Sequence, residues 1–113
     1  MENNVLSFNQ AIENGYEPNE FSYNKDIVPV GVFKANLEFK IYAKNLMGIT
    51  CYFTLELTGI KIALTVYRQH SDRQYKISGG NIDFKTCPID TLYEITIDKN
   101  GKGNIRFSKA SLV

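Results

Sequence analysis

The sequence predicts a mainly β single domain, a small antiparallel barrel or strongly curled sheet of OB-like character, preceded by one short N-terminal helix. Three observations carry that expectation. Between Leu37 and Val66 apolar and polar residues alternate almost without error, the period of strands with one buried face. Two turn signals, Leu46-Met47-Gly48 and Thr58-Gly59, divide this stretch into a meander. Further short β-rich runs bring the total to six to eight strands, and so many short strands protect their edges by closing or curling.

Taking the elements in order, Ser7-Phe8-Asn9-Gln10 has the form of a capping box. Phe8, Ala11 and Ile12 share a helical face and Gly15 is placed to stop the helix, so about two turns are expected over residues 8–14. Residues 16–26 are rich in Asn and Glu with Pro18, an irregular segment pinned by Phe21 and Tyr23. In Ile27 to Phe33 the composition is β-rich, but Pro29 cannot donate to a ladder and belongs at an edge or bulge.

The centre is more sharply specified. Leu37, Phe39, Ile41 and Ala43 alternate with Glu38, Lys40, Tyr42 and Lys44. The next runs place Ile49, Cys51, Phe53, Leu55 and Leu57, then Ile60, Ile62, Leu64 and Val66, on their apolar sides. A slip by one residue inverts a strand's faces, so apolar partners set the register. A two-residue turn at Thr58-Gly59 pairs Leu55 with Ile62 and Cys51 with Val66. A three-residue hairpin at Leu46-Met47-Gly48, with glycine in the left-handed conformation, pairs Ala43 with Cys51 and Ile41 with Phe53. Beyond Arg68, short strands are expected at Tyr75–Ile77 and Asn81–Lys85, and a final hairpin joins Tyr93–Ile97 to Asn104–Phe107.

At 113 residues the chain suffices for one domain that buries about two-thirds of its unfolded surface. It divides into an acidic arm, residues 1–26, with five carboxylates against one lysine, and a β domain, residues 27–113, with twelve basic and seven acidic side chains. No apolar run approaches the roughly 20 residues of a membrane span and no secretory signal opens the chain, which points to the cytoplasm and away from a membrane. Cys51 and Cys87 read as free thiols, and His70 as a solvated loop histidine.

The predicted register collects tyrosines on the wet face. Tyr42 falls opposite Tyr52, Tyr67 lies on the next strand, and Lys40, Lys44 and Arg68 stand among them, with Arg73 and Lys76 in the following loop. Flat rings stack on bases and lysine or arginine neutralises phosphates, so this face suits single-stranded DNA or RNA. Three other readings use the same residues. Cross-strand tyrosines stabilise a sheet without any ligand, and Phe8, Phe21 and Tyr23 of the arm can cover the face as a second core. A protein partner is the third, with the chain serving as an inhibitor, immunity protein or anti-defence factor of a phage or mobile element. An unclosed edge also invites a homodimer.

Motifs for chemistry fail on inspection. Asp98-Lys-Asn-Gly101 opens like a calcium loop, but Lys102 and Lys109 stand where oxygen ligands are required. Cys51 points inward and nothing brings Cys87 to His70. The expectation is a binding protein, not an enzyme, with no metal and no cofactor.

Overall fold

A computed structural model describes residues 5–113 and, among them, every side chain but that of Lys44. The helix α1 covers Phe8–Glu13 and its capping box is formed: Gln10 N donates to Ser7 Oγ at 3.2 Å and Ser7 N to Gln10 Oε1 at 2.8 Å. Gly15 follows at φ +88°. Of its expected apolar face only Ala11 is buried, while Phe8 and Ile12 are about half exposed.

Among the described residues five strands form one antiparallel sheet: β1 (Gly31–Ala43), β2 (Gly48–Leu55), β3 (Lys61–Tyr67), β4 (Thr91–Lys99) and β5 (Ile105–Leu112). Their order is β3-β2-β1-β4-β5, so β1 lies at the centre and the sheet has two ends, β3 and β5, which curl towards each other without pairing. The sheet is therefore open, and the expected six to eight strands reduce to five. The final hairpin is present and longer than expected. Tyr75–Ile77 and Asn81–Lys85 are not strands; Tyr75 makes one isolated bridge, to Arg68. Instead, residues 68–90 form an irregular plug that delivers Tyr75, Phe84, Cys87 and Ile89 to the core against the curled sheet.

Both predicted hairpin registers are corrected. Between β2 and β3 the turn is longer, with Leu55 N bonded to Ile60 O and Gly59 N to Leu55 O, so Phe53 faces Ile62 and Cys51 faces Leu64. The slip is even, and the apolar side of each strand is preserved. Between β1 and β2 the left-handed residues are Asn45 (φ 53°) and Leu46 (φ 63°). Gly48 lies within β2, where a Cβ would sit 3.1 Å from Val66 O.

Here the consequence is larger. Leu37, not Ile41, pairs with Phe53, and Phe39 pairs with Tyr52, leaving Glu38 as an extra residue in a β-bulge. Past the bulge the faces of β1 exchange. Lys40 and Tyr42 join Ile49 and Cys51 on the main core side, whereas Phe39 and Ile41 turn to the opposite face.

That opposite face is a second core. Ala11, Phe21, Phe39, Ile41 and Ala63 are buried there with Leu6, Tyr16 and Tyr52 against them. The rings of Tyr16, Phe39 and Tyr52 are stacked at 4.4 Å spacings and Phe21 meets the last two edge-on. Backbone bonds tie the arm down at two points: Leu6 with Lys40 and Tyr42 of β1, and Ser22 with Lys61 and Ala63 of β3. The covering arm anticipated from its aromatics is thus present, carried by Tyr16 and Phe21; Phe8 and Tyr23 are exposed.

Candidate binding groove

The bulge disperses the predicted tyrosine and lysine platform. Tyr42 faces inward beside Tyr75, with ring centroids 6.2 Å apart, and pairs with Ile49, not with Tyr52. Tyr52 lies under the arm, and burial pushes its hydroxyl pKa above the ordinary tyrosine value. Lys40 is wholly buried at 0% exposure. The side chain of Lys44 lies outside the described residues. Arg68 sits at the end of β3 with Nη2 3.7 Å from Met47 Sδ. Lys76 is held by Asp72 at 2.7 Å, and Arg73 is exposed in the turn between them at φ 60°. From the predicted set only Tyr67, 64% exposed, keeps an aromatic face open to solvent.

What the fold leaves open is the seam between its two end strands. One stretch is lined by Tyr67 and Thr65 of β3, Ile105 and Phe107 of β5, and Tyr23 and Lys25 of the arm. It adjoins a second stretch through Tyr67 and Phe107, where Lys76 and Arg106 stand. The third, about 460 Å³ in volume, runs beside Ser108 to Leu112 beneath the Ile77–Ile82 segment. The first two follow β5 on the side away from β4, and the third lies over β4 as well, with Glu94 and Thr96 in its lining.

The backbone along that side has a definite pattern. Val113 N bonds to Leu92 O, and antiparallel pairs alternate between bonded and non-bonded. Counting back from that bond, Glu94 and Ser111 are a bonded pair, whereas Tyr93 with Leu112 and Ile95 with Ala110 are non-bonded pairs. Ala110 and Leu112 therefore aim their N–H and C=O groups away from β4, into the groove. Arg106 is committed to Asp98 through two contacts at 2.7 and 3.2 Å, which lowers the Asp98 carboxyl and raises the guanidinium. This pair also accounts for Asp98 in the expected hairpin turn. The groove thus combines edge backbone donors and acceptors, apolar patches, and two exposed tyrosines at one end.

Sequence reasoning missed this site because it is defined by strand order, and β5's position at the end of the sheet has no local signature. Tyr23 was noted in the arm, but as a covering residue; at 80% exposed it covers nothing. Among the described residues no cluster of three or more His, Cys, Asp and Glu side chains is arranged to hold a metal, and no helix is long and apolar enough to cross a membrane. Neither a family model, a curated protein nor a solved structure matches the chain.

Proposed function

We propose that the chain is a non-enzymatic binding protein that takes an extended polypeptide segment along the free edge of β5. The observation that carries this reading is the free backbone of β5. It stands at the end of the sheet with the N–H and C=O groups of Ala110 and Leu112 turned away from β4, while β3 bonds to Ser22 of the arm, so the segment would pair with β5 alone. Main-chain bonds to Ala110 and Leu112 would supply affinity, and the apolar stretches beside Phe107 and beneath Ile77 would select alternate side chains. The same strand order, with a long bulged β1 shared by both halves, supports an OB-like fold as the finer description. A protein target of this kind suits an inhibitor, immunity or anti-defence role.

The test is a display library of short extended peptides panned against the full chain, followed by binding of the enriched peptides to Ala110→Pro. Proline removes an N–H that bonds to no neighbouring strand, so the fold tolerates it as edge strands do. Enriched peptides should carry alternating apolar residues and lose binding to the variant. Equal binding to both proteins refutes the edge reading.

One observation favours single-stranded nucleic acid as the second reading: Tyr23 and Tyr67 stand exposed at one end of the groove with Lys25 beside them. Stacking on each ring contributes about 1 to 3 kcal/mol per base. Anisotropy titration of labelled single-stranded DNA and RNA should then show a log-log salt slope of about −0.7 per phosphate contact and collapse in Tyr23→Ala/Tyr67→Ala. Absence of binding at low salt removes this reading.

A further inference from the structure

The exchange of faces in β1 places a primary amine against a thiol inside the main core. Lys40 Nζ donates to Cys87 O at 2.6 Å and lies 3.9 Å from Cys87 Sγ. Both side chains are buried, Lys40 completely, and Cys51 is the direct cross-strand partner of Lys40. The loop that presents Cys87 is held in place: Cys87 N bonds to Asp83 O at 3.0 Å, and the Tyr93 hydroxyl donates to Pro88 O at 2.6 Å. Thus Nζ and Sγ are kept adjacent by bonds on each side of the pair.

We infer that Lys40 and Cys87 form an oxidation-triggered covalent cross-link, a sulfenamide joining Nζ to Sγ. In the first step the thiol is oxidised by a peroxide. The Cys87 S–H and the O–O bond break, one oxygen bonds to sulfur as a sulfenic acid, and the other leaves as water. In the second step the Lys40 amine lone pair attacks that sulfur. The N–S bond forms, the S–O bond breaks, and the hydroxyl leaves with one amine proton as a second water. Overall the protein loses two protons and two electrons, which reduce the peroxide to water.

The surroundings favour this course over others. Burial lowers the Lys40 pKa, which increases the share of amine that carries a free lone pair. Burial raises the pKa of both thiols, Cys51 well above the ordinary cysteine value, and Cys51 is fully buried at 0% exposure, which makes it the more disfavoured first site of oxidation. Cys87, at 8% exposure, is the thiol nearer to solvent. The product fastens the centre of β1 to the irregular plug across 47 residues of sequence, and an added constraint of that span raises the unfolding midpoint.

The experiment treats the full wild-type chain with hydrogen peroxide and maps its peptides by mass spectrometry. A linked pair is expected, one peptide containing Lys40 and the other Cys87, lighter by two hydrogens than the sum of the two and separated again by dithiothreitol. The linkage should be lost in Lys40→Met and in Cys87→Ser. Peptides that remain separate, with Cys87 unmodified or carrying only added oxygen, overturn the proposal. So does a linked pair that retains an oxygen, or a disulfide joining the Cys51 and Cys87 peptides.

Discussion

Replacing Lys40 by methionine should stabilise the protein at neutral pH and destabilise it in strong base. Methionine keeps an unbranched stem of similar length, so the packing of Lys40 against Cys51 is largely retained. What changes is the amine. A buried ammonium held by one carbonyl bears a penalty of several kcal/mol, whereas losing its bond leaves Cys87 O without that donor at a cost of about 1 to 3 kcal/mol. The difference favours Lys40→Met by ~1 to 2 kcal/mol at pH 7, about 4 to 8 °C in Tm. Linkage fixes how this varies. Burial holds the folded pKa of Lys40 below its ordinary 10.5, so between those values the unfolded chain binds more protons and wild-type stability rises with pH. Below that window the penalty is present in full; above 10.5 it is gone and only the lost hydrogen bond remains, leaving the variant about 1 to 3 kcal/mol the weaker. Urea denaturation followed by far-ultraviolet circular dichroism from pH 7 to 11 reads both ends. A variant more than about 2 kcal/mol less stable at pH 7, by a margin constant to pH 11, would refute the buried-amine account.

Other substitutions separate the second core from the groove. Phe39→Ala should cost about 3 to 5 kcal/mol in urea denaturation, because its ring lies between those of Tyr16 and Tyr52. Tyr67→Ala should stay within about 0.5 kcal/mol of wild type in the same assay, since that ring is mostly exposed. Gly48→Ala should lose about 1 to 3 kcal/mol, since a Cβ would meet Val66 O at 3.1 Å and Thr65 and Tyr67 side-chain atoms at 3.3 Å. Its thermal midpoint checks this.

The strands were legible where no bulge interrupts the alternation. In β2 and β3 alternation named the inward residues correctly as far as Leu55, whereas Leu57, expected on the apolar side, is 97% exposed in the longer turn at Glu56–Gly59, which displaced the remaining partners by an even step that leaves faces unchanged. β1 was harder because, past Leu37, both of its faces are covered, one by the main core and one by the arm. Its run of Leu37, Phe39, Ile41 and Ala43 has a perfect period of two, yet residues from both alternating sets must be inside. A bulge is the local solution, and period counting has no term for it. The arm did carry a signal: Tyr16 and Phe21 need an apolar surface, and a sheet face bearing only Lys40, Tyr42 and Tyr52 would not have provided one. The binding groove had no comparable signal, since Ala110 and Leu112 acquire their role from the position of β5 in the sheet.

The bulge itself can be tested by deletion. Glu38 is the residue left over between Leu37, opposite Phe53, and Phe39, opposite Tyr52. Removing it joins two residues whose partners are already consecutive, so the ladder closes without moving any other side chain to a different face. The losses are the 2.9 Å bond from Asn36 Nδ2 to Glu38 and the local bend. Removing Asn36, by contrast, takes out a paired residue and forces one half of β1 to turn inside out, which brings Phe39 into the main core and Lys40 out of it, or expels Ala35. The Glu38 deletion should therefore unfold cooperatively with a loss of about 1 to 2 kcal/mol, and the Asn36 deletion should fail to fold. If β1 were regular, as strict alternation implies, both deletions would invert the strand beyond them and be equally damaging. Equal damage in urea denaturation would return Lys40 and Tyr42 to the outer face.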